Sequence, residues 1–311
     1  MALYLREADV DALLAPADAV DAVEACFGRV GRGETRNPPR VRVPLPDGLL
    51  HVMPASDHEL GVSGVKMYAR VADREGAEPV VCLYGADRPD LLAVIEARRL
   101  GQLRTGATSA VAARHFARGG ARSLGLIGCG HQAETQLECI RLALPAIDEV
   151  VVYCRDETRR KRFAERFGAD AGEYNRDAAE QDVVVTVTTS RDPVLRGEWL
   201  RPGALVCAVG ANRLEARELD NAVVERATFV CCDSAAQARL EAGDLVEPVE
   251  RGVLDWLEVH ELGEVVTGAV TGRQGDDDVV LFKSVGIGVE DLAVAKLAID
   301  RAAETGGGTP L

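Results

Sequence analysis

Apolar residues recur at helical spacing over Asp9–Leu14 and Pro16–Val30, with Pro16 suited to a first turn and Gly31 and Gly33 to a stop. The pattern then shortens. Arg40–Leu45 and Leu49–Met53 predict two strands around the turn Pro46-Asp47-Gly48, and Val62–Ala69 and Pro79–Gly85 predict two more. Leu91–Leu100 reads as a strand followed by a helix, and the small apolar residues of Thr105–Ala117 as a tightly packed helix. Past Gly119-Gly120 the runs become continuously apolar: Ser123–Gly128, Glu149–Cys154, Asp182–Thr188, Ala204–Val209 and Thr228–Cys232, the last expected to close the series. Helical stretches alternate with them, one to about Leu144 and a basic one over Glu157–Phe167. Apolar strands alternating with helices predict a parallel sheet covered on both faces. Helical spacing returns over Asp291–Ala303, and Gly306–Leu311 reads as a frayed tail.

Composition narrows the function classes. The chain of 311 residues is long enough for about two domains, and 47% hydrophobic with 28% charged residues is a soluble globular balance. A net charge of -14 argues against a uniformly basic nucleic-acid surface. No run approaches the roughly 20 apolar residues of a membrane span, and Met1–Val10 lacks a secretory apolar core, so a cytoplasmic protein is expected. The eight cysteines (Cys26, Cys82, Cys129, Cys139, Cys154, Cys207, Cys231, Cys232) show neither CxxC pairs nor Cys/His metal spacing. They are expected to be buried thiols in a reducing compartment, and no metal centre is expected. Only four residues are lysines (Lys66, Lys161, Lys283 and Lys296), which leaves few candidates for buried amine chemistry.

Gly128-Cys129-Gly130-His131-Gln132-Ala133 is a GxGxxA sequence directly after a predicted strand and before a predicted helix. Gly128 permits a tight turn, Gly130 lets the backbone approach a pyrophosphate, and Ala133 allows close helix–strand packing. The helix N-terminus adds free N–H groups for phosphate. At the end of the second strand, where an NAD site usually carries Asp or Glu, stands Cys154, followed by Arg155. Arg159 and Arg160 lie one helical turn on. Arginines here favour NADP(H) over NAD(H), with Asp156 the competing residue if the strand ends two residues later.

A series of ordered blocks extends from this turn across the chain. They are Pro39-Arg40, HVMPAS at 51–56, GVKMY at 64–68, LGQLRTGATSAVAA at 100–113, LIGCGHQA at 126–133, VTVTTSRDPVL at 185–195, AVGANRLEARELD at 208–220, QARLEAGDL at 237–245, ELGEVVTG at 261–268 and LFKSVGIGVEDL at 281–292. In these blocks the chain resembles the ornithine cyclodeaminase/mu-crystallin family, almost end to end. The resemblance implies an α/β protein in which a Rossmann-type doubly wound parallel sheet (residues 119–279) interrupts a discontinuous α+β substrate and dimerisation domain (1–118 and 280–311). It also implies a homodimer and an active site between the domains.

The resemblance places Arg40, Lys66 and Arg104 around a substrate carboxylate, chemistry that suits a forked guanidinium and a compact ammonium. A lysine in an apolar run is notable in its own right, because unpaired buried lysine is rare. His51, two residues before Met53 and on the same strand face, is a candidate proton donor or substrate hydrogen-bond partner, or else a half-exposed strand histidine. Met53 is expected in a cleft wall or in ordinary core. Thr105 either fixes the cleft by hydrogen bonding or meets a phosphate, and His131 meets phosphate or solvent. Val209, Gly210, Ser284 and Gly286 are expected near the nicotinamide, Asn212 against the nicotinamide or ribose, and Thr188 among the cofactor-binding residues. Cyclodeaminases of the family carry Asp where this chain has Asn212. An amide cannot serve as a carboxylate base, which counts against cyclodeaminase chemistry unless the nearby Glu215 compensates. What the resemblance implies is an NAD(P)H-dependent oxidoreductase acting at the C–N bond of a small amino or imino acid, most simply a ketimine or cyclic imine reductase. Alanine dehydrogenase, ornithine cyclodeaminase and a non-catalytic NADP(H)-binding protein are the alternatives.

Overall fold

The structure is a computed structural model and describes residues 2–71 and 76–311. The chain forms two units, one from residues 1–107 and 286–311, the other from 108–285. The chain leaves the first unit within a helix and re-enters it just after a strand of the second.

The first unit opens with β1 (Leu3–Leu5), α1 (Glu7–Leu13) and α2 (Pro16–Gly31). Pro16 occupies the first turn of α2, where its missing N–H costs nothing, and Val20, Val23 and Phe27 face the core. The strands β2 (Thr35–Arg36), β3 (Val41–Leu45), β4 (Gly48–Asp57), β5 (Val62–Val71), β6 (Val80–Gly85) and β7 (Leu91–Glu96) follow. Next comes α3 (Arg98–Phe116), of which the part up to Ala107 belongs here. Burial along β4 alternates strictly, with His51, Met53, Ala55 and Asp57 on the covered face.

The second unit holds β8 (Ser123–Ile127), α4 (His131–Ala143), β9 (Glu149–Tyr153), α5 (Glu157–Phe167), β10 (Asp170–Ala171), α6 (Asn175–Ala179), β11 (Val183–Thr186) and β12 (Leu205–Ala208). It continues with α7 (Asn221–Arg226), β13 (Phe229–Cys232), α8 (Ala235–Glu241), α9 (Gly243–Glu250), β14 (Val259–Glu261), α10 (Leu262–Val266) and β15 (Val280–Lys283). All its strand pairs are parallel, in the order β10-β9-β8-β11-β12-β15-β13-β14. The direction of winding reverses between β8 and β11, and such a reversal opens a crevice at the strands' carboxyl ends. Every residue of β8, β11, β12 and β15 is buried, which explains why their sequences are apolar without alternation.

Two expectations are corrected here. Thr228–Cys232 does not close the parallel series, because β14 and β15 follow and β15 inserts between β12 and β13. The strand Val280–Lys283 was hidden by its short length and its terminal lysine. The C-terminal tail is also not frayed. After α11 (Gly288–Thr305), β16 (Thr309–Pro310) pairs antiparallel with β1, and the Leu311 N–H donates to the Ala2 carbonyl at 3.0 Å. Backbone pairing alone orders a segment whose side chains carry no signal. The first unit's sheet runs β16-β1-β7-β6-β5-β4-β2, with β3 also on β4, and α11 packs over β4, β5 and β6.

Candidate active site

In the second unit, the GxGxxA turn joins β8 to α4 at the winding reversal. Gly128 has φ +127°, and a Cβ there would lie 2.6 Å from the Val187 carbonyl oxygen, so only glycine fits. Gly130 is the N-cap of α4, has no side-chain cap, and a Cβ on it would meet open space. The Ala133 N–H donates to the Gly130 carbonyl at 3.0 Å, and the open space at Gly130 leaves room for a phosphate to approach the helix N-terminus. Ala133 is fully buried, Gln132 half-buried and His131 exposed. These residues fit a dinucleotide pyrophosphate.

Beside this turn, β9 ends at Tyr153. Asp156 caps α5, its Oδ1 accepting from the Arg159 N–H at 2.9 Å, so this carboxylate already serves the helix. The Arg155 and Arg159 side chains are exposed. Arg160 turns back instead, donating to the Cys154 carbonyl at 2.9 Å and lying over the Tyr153 ring. The expectation of eight reduced thiols is corrected, because Cys129 and Cys154 are joined by a disulfide. The parallel β8/β9 register carries both residues off adjacent strand ends together, a proximity that a separation of 25 residues conceals.

The loops after β11 and β12 hang on one carboxylate, Glu218. It accepts from Thr186 Oγ1 at 2.9 Å and from the N–H groups of Thr188 (2.6 Å), Gly210 (2.7 Å) and Ala211 (3.2 Å). Burial pushes the Glu218 carboxyl above its usual range, while the Lys283 charge pulls the other way. Asp244 continues the network. It accepts from the N–H groups of Glu218 and Leu219 and pairs with Lys283 Nζ at 2.9 Å. Lys283, Asp244 and Glu218 are all fully buried. This polar core holds Thr188, Val209 and Gly210, expected cofactor-binding residues, at the ends of neighbouring strands. Ser284 Oγ donates to Asp233 Oδ2 at 2.9 Å. Asn212 is half-buried and Glu215 exposed.

In the first unit, Lys66, Arg104 and Arg40 are all buried. Lys66 Nζ donates to Asp291 Oδ1 at 2.8 Å, and Arg104 Nε donates to the same oxygen at 3.1 Å. Arg104 Nη1 reaches Glu290 Oε2 at 2.9 Å, and Arg40 Nη2 donates to the Gly286 carbonyl at 3.0 Å. Gly286 has φ +77°, and a Cβ there would press to 2.6 Å from Arg104 Nη1. Burial lowers the Lys66 ammonium to a pKa of about 8. The neighbouring Asp291 opposes that shift, and Arg104 and Arg40 add to it. Lys66 is the cross-strand partner of Met53, which is buried. His51 pairs with Tyr68 across the same strands and stacks on its ring with centroids 4.5 Å apart. At 5% exposure it is not a half-exposed strand residue. Thr105 Oγ1 donates within its own helix to the Gly101 carbonyl at 2.7 Å.

The residues that sequence reasoning missed are Glu290 and Asp291. Asp291 lies 225 positions from Lys66. Acidic residues in a first helical turn read as complements of the helix dipole. The available signal was their setting, since both sit among apolar positions and both are fully buried. Glu218 was missed because it lies in a loop between Arg217 and Leu219, with no helical or apolar setting to mark it.

Residues 2–306 match the ornithine cyclodeaminase/mu-crystallin family. A Delta(1)-pyrroline-2-carboxylate reductase of Bacillus cereus is 34% identical, over 83% of this chain and 82% of its own. The structure of the same-named enzyme from Thermococcus litoralis, in complex with NADH and L-proline, superposes with a TM-score of 0.94 at 30% identity. That match covers 99% of this chain and 100% of the other. An archaeal alanine dehydrogenase, a dimer with bound NAD, superposes with a TM-score of 0.93 at 32% identity, covering 100% of this chain and 98% of the other. The chain belongs to the ornithine cyclodeaminase/mu-crystallin family.

Proposed function

We propose that the protein is a nicotinamide-dependent oxidoreductase that reduces the C=N bond of a small 2-imino acid, with five- and six-membered cyclic imine carboxylates as the first substrates to test. The observation that carries this reading is Lys66: a buried ammonium titrating at about 8, held by Asp291 beside the Arg104 guanidinium. An imine nitrogen gains a proton as its carbon gains hydride, and a buried acid with a pKa near neutrality is suited to supply it. Arg104 and Arg40 bring the guanidinium geometry that binds a carboxylate. Met53 adds an apolar wall, and His51, fixed by stacking on Tyr68, is the alternative proton donor.

A nicotinamide cofactor, when bound, supplies the hydride. Gly128, Gly130, His131, Gln132 and Ala133 hold its pyrophosphate. Val209, Gly210, Asn212 and Ser284 support the nicotinamide end, with Thr188 as a further cofactor contact. Arg155 and Arg159 are assigned to a 2′-phosphate, which makes NADP(H) the preferred form, because the adjacent acids are already engaged, Asp156 in capping α5 and Glu157 with Lys161. The same half-reaction, with ammonia in place of a ring nitrogen, gives alanine dehydrogenase, and the likeness to the archaeal enzyme keeps that as the second reading.

The protein is proposed to act as a homodimer. Val41, Val43 and Leu45 stand on alternate positions of β3 and are 51%, 42% and 36% exposed, an apolar edge that a second copy would cover. Among the described residues no helix is long and apolar enough to cross a membrane.

The test is steady-state oxidation of NADPH and NADH with pyrroline-2-carboxylate, piperideine-2-carboxylate, and pyruvate plus ammonia. Turnover with the cyclic imines ahead of pyruvate and ammonia is expected. Dinucleotide binding without turnover on any imine would overturn the reading, and ornithine deamination without net cofactor use would replace it with a cyclodeaminase.

A further inference from the structure

Cys129 and Cys154 stand where the cofactor turn meets the strand end that discriminates the cofactor's ribose. Cys129 lies between the two glycines of the turn, and Cys154 directly follows β9. Their Cα atoms are 5.8 Å apart, inside the span a disulfide needs. The other six cysteines lie outside any disulfide, and all but Cys82 are buried in core.

Each chemical state of the pair has a place in the fold. Joined, the two sulfurs link the turn to the end of β9. As a thiol, Cys154 Sγ has an acceptor ready, the Asp156 carbonyl oxygen at 3.5 Å. The surroundings also favour exchange. Cys129 immediately precedes the N-cap of α4, and Arg155 and Arg160 flank Cys154, with Arg160 donating to its carbonyl. Positive potential of this kind promotes attack by anionic sulfur. Disulfides that form in reducing compartments are mostly transient and regulatory or catalytic.

We infer that Cys129 and Cys154 form a reversible redox-modification site that gates dinucleotide binding, an inference that rests on reading the GxGxxA turn as the cofactor cradle. The oxidant is a low-molecular-weight disulfide. One cysteine thiolate attacks it, forms a mixed disulfide and releases one small thiolate. The second cysteine then attacks the protein sulfur of the mixed disulfide and releases the other. Two protein thiols are oxidised to one protein disulfide, and one small disulfide is reduced to two small thiols. The link ties the turn to β9 and puts a rigid S–S bridge beside the ribose seat. The reduced form therefore binds the dinucleotide more tightly.

The experiment compares the full-length protein after dithiothreitol and after oxidised glutathione. Free thiols are counted by mass tagging, and NADH and NADPH affinities are measured by fluorescence titration. Eight thiols are expected after reduction and six after oxidation, with a peptide pair cross-linked through Cys129 and Cys154. Reduction is expected to tighten binding about tenfold, as for a switch worth roughly one decade of affinity. Cys129→Ser and Cys154→Ser should each remove the difference between the two treatments. Eight thiols surviving the oxidant, or equal affinities in two states proven to differ in the disulfide, would overturn the inference. Disulfide exchange with no dinucleotide binding in either state would instead overturn the cofactor reading, and the gating with it.

Discussion

Replacing Asp291 by Asn isolates what holds the Lys66 proton. The substitution keeps size and removes a negative charge 2.8 Å from Nζ. At an effective dielectric of about 20, unit charges roughly 3 Å apart interact by roughly 5–6 kcal/mol. Arg104 shares the same oxygen, and the pocket relaxes around the change, so about half of that reaches the lysine. This is roughly two pKa units at about 1.4 kcal/mol each. Lys66, at about 8 in the parent, would then titrate near ~6. Near pH 7.5 its protonated fraction falls from roughly three quarters to roughly 3%, so imine reduction slows about 25-fold. The assay is the pH profile of kcat/KM for cyclic imine reduction, whose basic limb should move from about 8 toward acid, with activity partly recovered near pH 6. Breaking a buried ion pair also costs stability, about 3–5 kcal/mol, so thermal unfolding is recorded alongside. A folded Asp291→Asn variant whose basic limb stays near 8 would refute the assignment of Lys66 as proton donor and of Asp291 as its positioning residue.

Three further outcomes follow from the same contacts. Glu218→Gln replaces an acceptor of four hydrogen bonds with a group half of which is itself a donor. Stability in urea should fall by about 1–3 kcal/mol, and the KM for the cofactor should rise more than that for the imine. Arg155→Ala should weaken NADPH by about tenfold while leaving NADH nearly unchanged, and equal losses in titration would contradict the 2′-phosphate assignment. Val43→Asp places a charge on the exposed β3 edge and should shift the protein from dimer to monomer in light scattering, whereas a parent that is already monomeric would remove the dimer proposal.

Much of the second unit was legible in its sequence. β8, β9 and β12 fall within two residues of their apolar runs, α5 falls on the expected Glu157–Phe167, and the glycine turn lies where its spacing placed it. These are local properties: a strand buried on both faces must be apolar throughout, and φ +127° at Gly128 requires glycine. The chain by itself therefore determined the strand–helix alternation, the dinucleotide turn and, through its ordered blocks, the family. Only the tertiary structure decided the long-range pairings. The insertion of β15 between β12 and β13, and the pairing of the tail with β1, depend on backbone hydrogen bonds that carry no side-chain signature. Asp291 beneath Lys66, Glu218 beneath two loops, and Cys129 against Cys154 are contacts between segments far apart in sequence. Their meaning comes from burial, which makes a charge depend on its partner and a thiol on its neighbour, and burial exists only once the chain has folded.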